Sequence, residues 1–259
     1  SLMTDPATTL CPSCAAPLAA PYCAACGQRA PRSADFTLKS FVKQLWEEVS
    51  GSDSRLWQTL LGLFRPGVLT NAYLQYRWRQ YLPPLRLYLM MSALFFLLAW
   101  GAYFEMQAQG MRSAPAELKA LFADPGTLER ISQWTASFRF IGVLALGVLV
   151  ALLHWRKRLP IGRHLVFATH YYCADYAIYL LGTPFLYLAP AEAYMRVSQG
   201  VTFGGIAWLA WWAVLADRRV YGGGWAGNVL RGLVILGADM MISVLAGQFA
   251  LVAVFLTRG

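Results

Sequence analysis

A chain of 259 residues that is 58% hydrophobic and only 14% charged, with a mean hydropathy of +0.44, departs from soluble domains, which carry about 25% charge. Its formal net charge of +9 would suggest nucleic acid in a soluble protein. Basic loops that orient membrane helices give the same total, so nucleic acid is the weaker partner and the lipid bilayer the stronger.

Ser1 and Leu2 ahead of Met3 read as a cloning remnant, and residues 1–10 as that remnant plus a disordered tail. No basic segment followed by an apolar run comes next, so no cleavable signal peptide is expected. Residues 11–30 contain Cys11-Pro12-Ser13-Cys14 and Cys23-Ala24-Ala25-Cys26-Gly27. Two CxxC knuckles this close let four thiolates converge tetrahedrally on one ion, and Gly27 supplies the permissive backbone that such turns use. Zinc is the expected cofactor, held by Cys11, Cys14, Cys23 and Cys26; paired knuckles are far more specific than a lone CxxC, which leaves a pair of disulfides or a redox CxxC as the minor alternatives. All four positions are cysteine, so the ribbon offers no open coordination site for catalysis. Cys173 stands alone in an apolar stretch as a packing residue.

Residues 35–82 read as amphipathic helices. From Phe36 to Val49 apolar residues recur every three or four positions. The Ser50-Gly51-Ser52-Asp53-Ser54 break leads into a helix from about Arg55 to Phe64, which stops before Pro66-Gly67. A third piece spans about Leu69 to Gln80. These helices suit either the membrane surface or a cytoplasmic cap. Arg55, Arg65, Arg77, Arg79 and Arg86 are the candidate contacts for lipid headgroups, and anionic lipids the expected species.

Residues 83–259 form the transmembrane domain, with spans expected at about 85–104, 138–155, 165–188, 197–216 and 228–256. Residues 105–137 read as a polar loop, and Gly222-Gly223-Gly224 as a flexible connection. With the N-terminus inside, sixteen Lys/Arg fall on the inner side and six, Arg139 among them, on the outer side. This positive-inside bias places the thiols in the reducing cytoplasm and the C-terminus outside. The predicted fold class is therefore an all-α integral membrane protein of about five spans, preceded by interfacial helices and a small zinc ribbon.

Ionisable groups at membrane depth are functional candidates by default. His164, His170, Asp175 and Asp239 form the candidate intramembrane polar site, while His154 reads as interfacial. Six residues separate His164 from His170, a rotation of about 240° on a helix, so one helix cannot chelate an ion with both. His164 and Asp175 share a face but stand about 16 Å apart. Tyrosines on the third span are the expected partners of His170 or Asp175, and neighbouring helices those of Asp175 and Asp239. No catalytic Ser-His-Asp order, P-loop or HExxH is present.

Several motifs together resemble the bacterial family catalogued as domain of unknown function 3667: the knuckles ending Tyr22-Cys23-Ala24-Ala25-Cys26-Gly27-Gln28, Ser52-Asp53-Ser54-Arg55 leading to Thr59-Leu60, Arg65-Pro66-Gly67, Arg77-Trp78-Arg79-Gln80-Tyr81-Leu82-Pro83-Pro84-Leu85-Arg86-Leu87-Tyr88, and His164-Leu165-Val166-Phe167-Ala168-Thr169-His170. Family members often carry a glycine before the arginine-rich stretch, where this chain has Gln75-Tyr76. The resemblance implies a bacterial inner-membrane protein with a zinc ribbon and brings no activity with it. Three roles follow in order of expectation: a non-enzymatic scaffold or assembly factor that recruits a cytoplasmic protein partner or anionic lipid through the ribbon; a small transporter, channel or lipid-handling protein using His170, Asp175 and Asp239; and an intramembrane enzyme on a lipid. Self-association into a homo-oligomer is left open.

Overall fold

The computed structural model describes residues 10–18, 21–28, 30, 55–101, 125–190 and 192–256. The expected helix from Phe36 to Val49, the break before Arg55, the tail 1–9 and the loop 102–124 lie outside the described residues. Beyond the ribbon the described residues are helical: α1 (Leu56–Leu63), α2 (Val68–Leu74), α3 (Pro84–Leu94, continued by a π turn over Phe95–Ala99), α4 (Pro125–Leu153), α5 (Ile161–Leu188), α6 (Tyr194–Tyr221) and α7 (Trp225–Leu256).

Segment 55–82 is knitted by its own polar groups. Thr59 Oγ1 accepts from the Leu82 N–H at 2.9 Å and Arg55 Nη1 donates to the Trp78 carbonyl at 3.0 Å, so α1 is tied to the approach to α3. The third amphipathic piece is shorter than expected. At Leu74 the chain closes a Schellman motif, with Arg77 N–H donating to Ala72 O and Tyr76 N–H to Tyr73 O. Tyr76 takes φ 62 there, the left-handed conformation that glycine adopts most readily, at the place where the resembling family often has one.

Helices α1 and α2 pack on the bundle with one face. Leu63 and Leu69 are buried in the main core, Trp212 Nε1 on α6 donates to the Leu63 carbonyl at 2.8 Å, and Arg219 donates to the Pro66 carbonyl. Gly67 makes this approach possible: at φ 75 a Cβ would stand 3.2 Å from the backbone of Ala216. The opposite face of α1 leaves Trp57, Leu61 and Phe64 exposed.

Helices α4, α6 and α7 contain segments long and apolar enough to cross a membrane: Glu129–Leu153, Tyr194–Tyr221 and Trp225–Val254. The sequence leads to an expectation of about five such helices; among the described residues there are three, which corrects it. The first expected span is a shorter apolar helix, Pro84–Ala99. The third, α5, has the length, at 28 residues, without the apolarity. It is surrounded by α3, α4, α6 and the short helices α1 and α2, and every residue from His164 to Ala177 is buried. A helix shielded from lipid by its neighbours can carry polar groups that a lipid-facing one cannot.

One loop is also corrected. Helix α4 begins at Pro125, so residues 125–137 are helical; Thr127, Ile131 and Thr135 make a buried stripe at four-residue spacing, and Ile131 packs with Ala250 and Val254 of α7. The three glycines at 222–224 connect α6 to α7, and beside them the Arg218 guanidinium lies 3.7 Å from the Trp225 ring centre. Lipid is the fitting neighbour for the outer faces: on α4, Ile141, Leu144, Val148 and Leu152 are exposed at helical spacing.

Candidate functional site

Each CxxC knuckle closes in the same way. The N–H of Cys11 donates to Ala16 O and that of Ala15 to Cys11 O; likewise Cys23 N–H donates to Gln28 O and Gly27 N–H to Cys23 O. The fourth residue after each leading cysteine is left-handed, Ala15 at φ 58 and Gly27 at φ 67. Cys11 Sγ lies 3.6 Å from Cys26 Sγ and Cys14 Sγ 3.6 Å from Cys23 Sγ, with all four sulfurs within 4.8 Å of one another. A disulfide needs about 2.05 Å. A tetrahedron of thiolates about 2.3 Å from one ion has edges of about 3.8 Å, so the four cysteines fit a bound metal ion. The backbone N–H of Cys26, pointing at Cys23, brings that thiol down to about 7. At Cys26 the Gln28 N–H favours the thiolate, yet desolvation and three crowding thiols push it up to about 12. Four thiols this close cannot all ionise without a cation among them.

The ribbon is docked onto the bundle. Arg79 Nε donates to the Cys26 carbonyl at 2.6 Å, Gln28 donates to the Tyr76 carbonyl, and a Cβ on Gly27 would meet the Arg79 guanidinium. The second knuckle therefore sits against the Schellman turn, at the bundle end where α3, α5 and α7 begin.

The intramembrane candidates separate into three settings. Arg139 on α4, Asp175 on α5 and Asp239 on α7 each lie fourteen residues from the ribbon-end terminus of their helix, about 21 Å along the axis, and so share one layer near mid-height. Arg139 pairs with Asp175 and donates to Ser243 Oγ at 3.1 Å. Its guanidinium lies 5.1 Å from the ring centres of both Tyr172 and Tyr176. Tyr171 donates to Asp239 Oδ2 at 3.1 Å, while Asp239 Oδ1, Arg139 Nε and the hydroxyls of Tyr88, Tyr172 and Tyr176 have no hydrogen bond of ordinary geometry. Arg139, expected in an outer loop, is thus a buried partner, and it, not a tyrosine hydroxyl, pairs with Asp175. Two facing carboxylates on separate helices explain why it is held inside.

His170 faces away from this layer: its Nδ1 lies 3.0 Å from Thr70 Oγ1 on α2, which replaces the expected tyrosine partner. His164 is buried, and so is His154, which reads as interfacial in the sequence. His164 Nδ1 lies 2.9 Å from the Tyr221 hydroxyl, and the Tyr221 ring stacks on His154 at 3.9 Å between centres. His154 Nε2 approaches Asp217 Oδ1 at 3.0 Å, out of hydrogen-bonding alignment. Arg231 Nε on α7 meets Asp217 Oδ2 at 2.9 Å. The sequence does not single out the Asp217 and Arg231 pair, because Asp217 adjoins the loop charges Arg218 and Arg219, and Arg231 counts with them on the inner side. One signal was legible: Ala213, Asp217 and Tyr221 recur at four-residue spacing and all are buried, so the carboxylate falls within an inward-facing stripe.

The arginines read as headgroup contacts also divide. Arg55 and Arg79 donate to backbone carbonyls, Arg65 and Arg77 are exposed, as Arg79 also is, and Arg86 is half-buried on α3. A family model described as a protein of unknown function (DUF3667) matches residues 53–96, the segment of α1, α2, the Schellman turn and most of α3. The chain resembles that family there; the match does not extend to the ribbon or to α4–α7. No curated protein and no solved structure matches the chain.

Proposed function

We propose that the protein is a non-enzymatic scaffold of the bacterial inner membrane, whose cytoplasmic zinc ribbon forms a rigid platform on the bundle for a protein partner. In this reading the N-terminus is cytoplasmic and the C-terminus periplasmic or extracellular, in keeping with the bias of basic residues. The carrying observation is the docking of the second knuckle through Arg79 and Gln28: a closed four-thiolate ribbon fixed to a bundle presents a constant surface, with Tyr22 on its outer side 61% exposed. The pairing of His170, Asp175 and Asp239 with separate partners also favours structural roles. Crosslinking in native membranes tests it. A partner joined to the ribbon should disappear with Cys11→Ser/Cys14→Ser and persist with Asp239→Asn; crosslinks unchanged by the cysteine substitutions end the scaffold reading.

A second reading, a small transporter, draws on the mid-height layer, where one guanidinium faces two carboxylates and Asp239 keeps an oxygen without an aligned partner. In vesicles of phosphatidylethanolamine and phosphatidylglycerol, proton flux followed with a pH-sensitive dye should fall with Asp239→Asn. Equal flux in the variant rejects this reading.

A further inference from the structure

From Arg55 to Gly101 the chain carries five arginines and no aspartate or glutamate. Part of this acid-free segment folds around two adjoining hollows at the ribbon end of the bundle. One, of about 180 Å³, is lined by Arg77, Arg219, Asn71 and Gln75; the other, of about 240 Å³, by Arg65, Gln58 and Leu61. Val68, Gln80 and Tyr81 line both, which makes them two halves of one groove. Among the described residues, no carboxylate lines either half.

The groove is built to different degrees around its rim. Arg219 is braced by its bond to Pro66 O, and its own carbonyl accepts from Asn71 Nδ2 at 3.0 Å, which fixes one cationic wall. Arg65 and Arg77 are exposed on the other sides and have no ion-pair partner among the described residues. Glutamine amides at 58, 75 and 80 add neutral donors between the charges. Guanidinium groups interspersed with amide donors suit phosphate oxygens.

Next to the charges lies a greasy shelf. Leu61, 67% exposed, lines the groove itself, and Trp57, 73% exposed, with Phe64 continues the same face of α1. A free anion gains nothing from that shelf. A phosphate that carries acyl chains gains from both sides, at the depth where crossing helices meet headgroups.

We propose that the groove between α1, α2 and the end of α6 binds the phosphodiester of an anionic phospholipid, through Arg65, Arg77 and Arg219, with the acyl chains along Leu61 and Trp57. This deepens the scaffold reading and rests on its placement of the ribbon end at a membrane surface. Of the five arginines read as headgroup contacts in the sequence, it retains Arg65 and Arg77, releases Arg55 and Arg79 to structural bonds, and leaves out Arg86, which lines neither half of the groove.

Native mass spectrometry of the full chain in mild detergent, titrated in parallel with phosphatidylglycerol, phosphatidylcholine and inorganic phosphate, tests the proposal. Phosphatidylglycerol should bind about tenfold tighter than phosphatidylcholine and lose about tenfold with Arg65→Gln/Arg77→Gln, as two surface cations warrant. Arg156→Gln/Arg158→Gln, which removes two exposed charges at the same end, should retain the preference, and metal content should be equal in all proteins. Equal binding of the two lipids overturns the proposal, as does an equal loss in the Arg156→Gln/Arg158→Gln protein. Displacement of the lipid by an equal concentration of inorganic phosphate also overturns it, by assigning the groove to a soluble anion. If the lipid preference fails while ribbon crosslinks persist, the groove assignment falls and the scaffold reading stands.

Discussion

The ribbon and helix α5 solve opposite problems. The ribbon has little apolar mass: Cys11 and Cys23 are its buried hydrophobic residues in the described part, so a metal ion held by its four thiols would supply most of its order. Helix α5 has so much surrounding protein that it can keep His164, His170 and Asp175 inside and pair each with a neighbouring helix. The first region depends on four atoms and the second on many contacts. A single chemical change should therefore dismantle one and only weaken the other.

The largest effect is expected at the thiols. Metal affinity in such ribbons supplies about 10–16 kcal/mol of folding free energy at pH 7, so Cys11→Ser/Cys14→Ser should reduce bound zinc from about one per chain to near zero. Hydrogen exchange should then become fast in residues 11–28 and rise in 76–79, where the ribbon docks, with α4–α7 still protected. Slow exchange in the metal-free ribbon would break the comparison.

Next comes the mid-height layer. Arg139→Leu leaves two buried carboxylates without their cation and should cost about 3–5 kcal/mol, read as a lowered thermal midpoint in detergent. Arg139→Leu/Asp175→Leu should recover part of the loss, because it removes one of the stranded charges. An unchanged midpoint in Arg139→Leu would show that the layer is wet.

Smaller again is Gly67→Ala. The φ of 75 alone costs an alanine about 1–2 kcal/mol, and the 3.2 Å approach to Ala216 adds to it; thermal denaturation should show α1 and α2 loosening first by hydrogen exchange. The smallest effect returns to the ribbon with the opposite sign. Ala15 holds φ 58 where the equivalent Gly27 holds φ 67, so Ala15→Gly should stabilise the metal-bound form by about 0.5–1 kcal/mol. Competition with a chelator would register this as roughly threefold tighter retention, and weaker retention would contradict the strain at Ala15.

Some of this was legible in the residues alone. The knuckle spacing named the four thiols, and helical periodicity located α1, because both are local patterns. Asp175 and Asp239 stood out as charges inside apolar runs. The partner of Asp175 did not: Arg139 lies 36 positions from it, at the edge of a predicted span, where an arginine reads as a loop charge. Tyr76 in the Schellman turn and Asp217 beside His154 were hidden for the same reason, since a boundary residue's direction depends on what packs against it.

The sequence by itself determined the helical class, the apolar segments, the thiol constellation and the basic segment without acids, all of which follow from composition and short-range spacing. Only the tertiary structure decided that α5 is buried from His164 to Ala177, where the helices begin and end so that three among the described residues meet the demands of length and apolarity, and which arginines face outward. Burial and pairing are properties of neighbouring helices, and a residue's neighbours across helices are not written in its own stretch of chain.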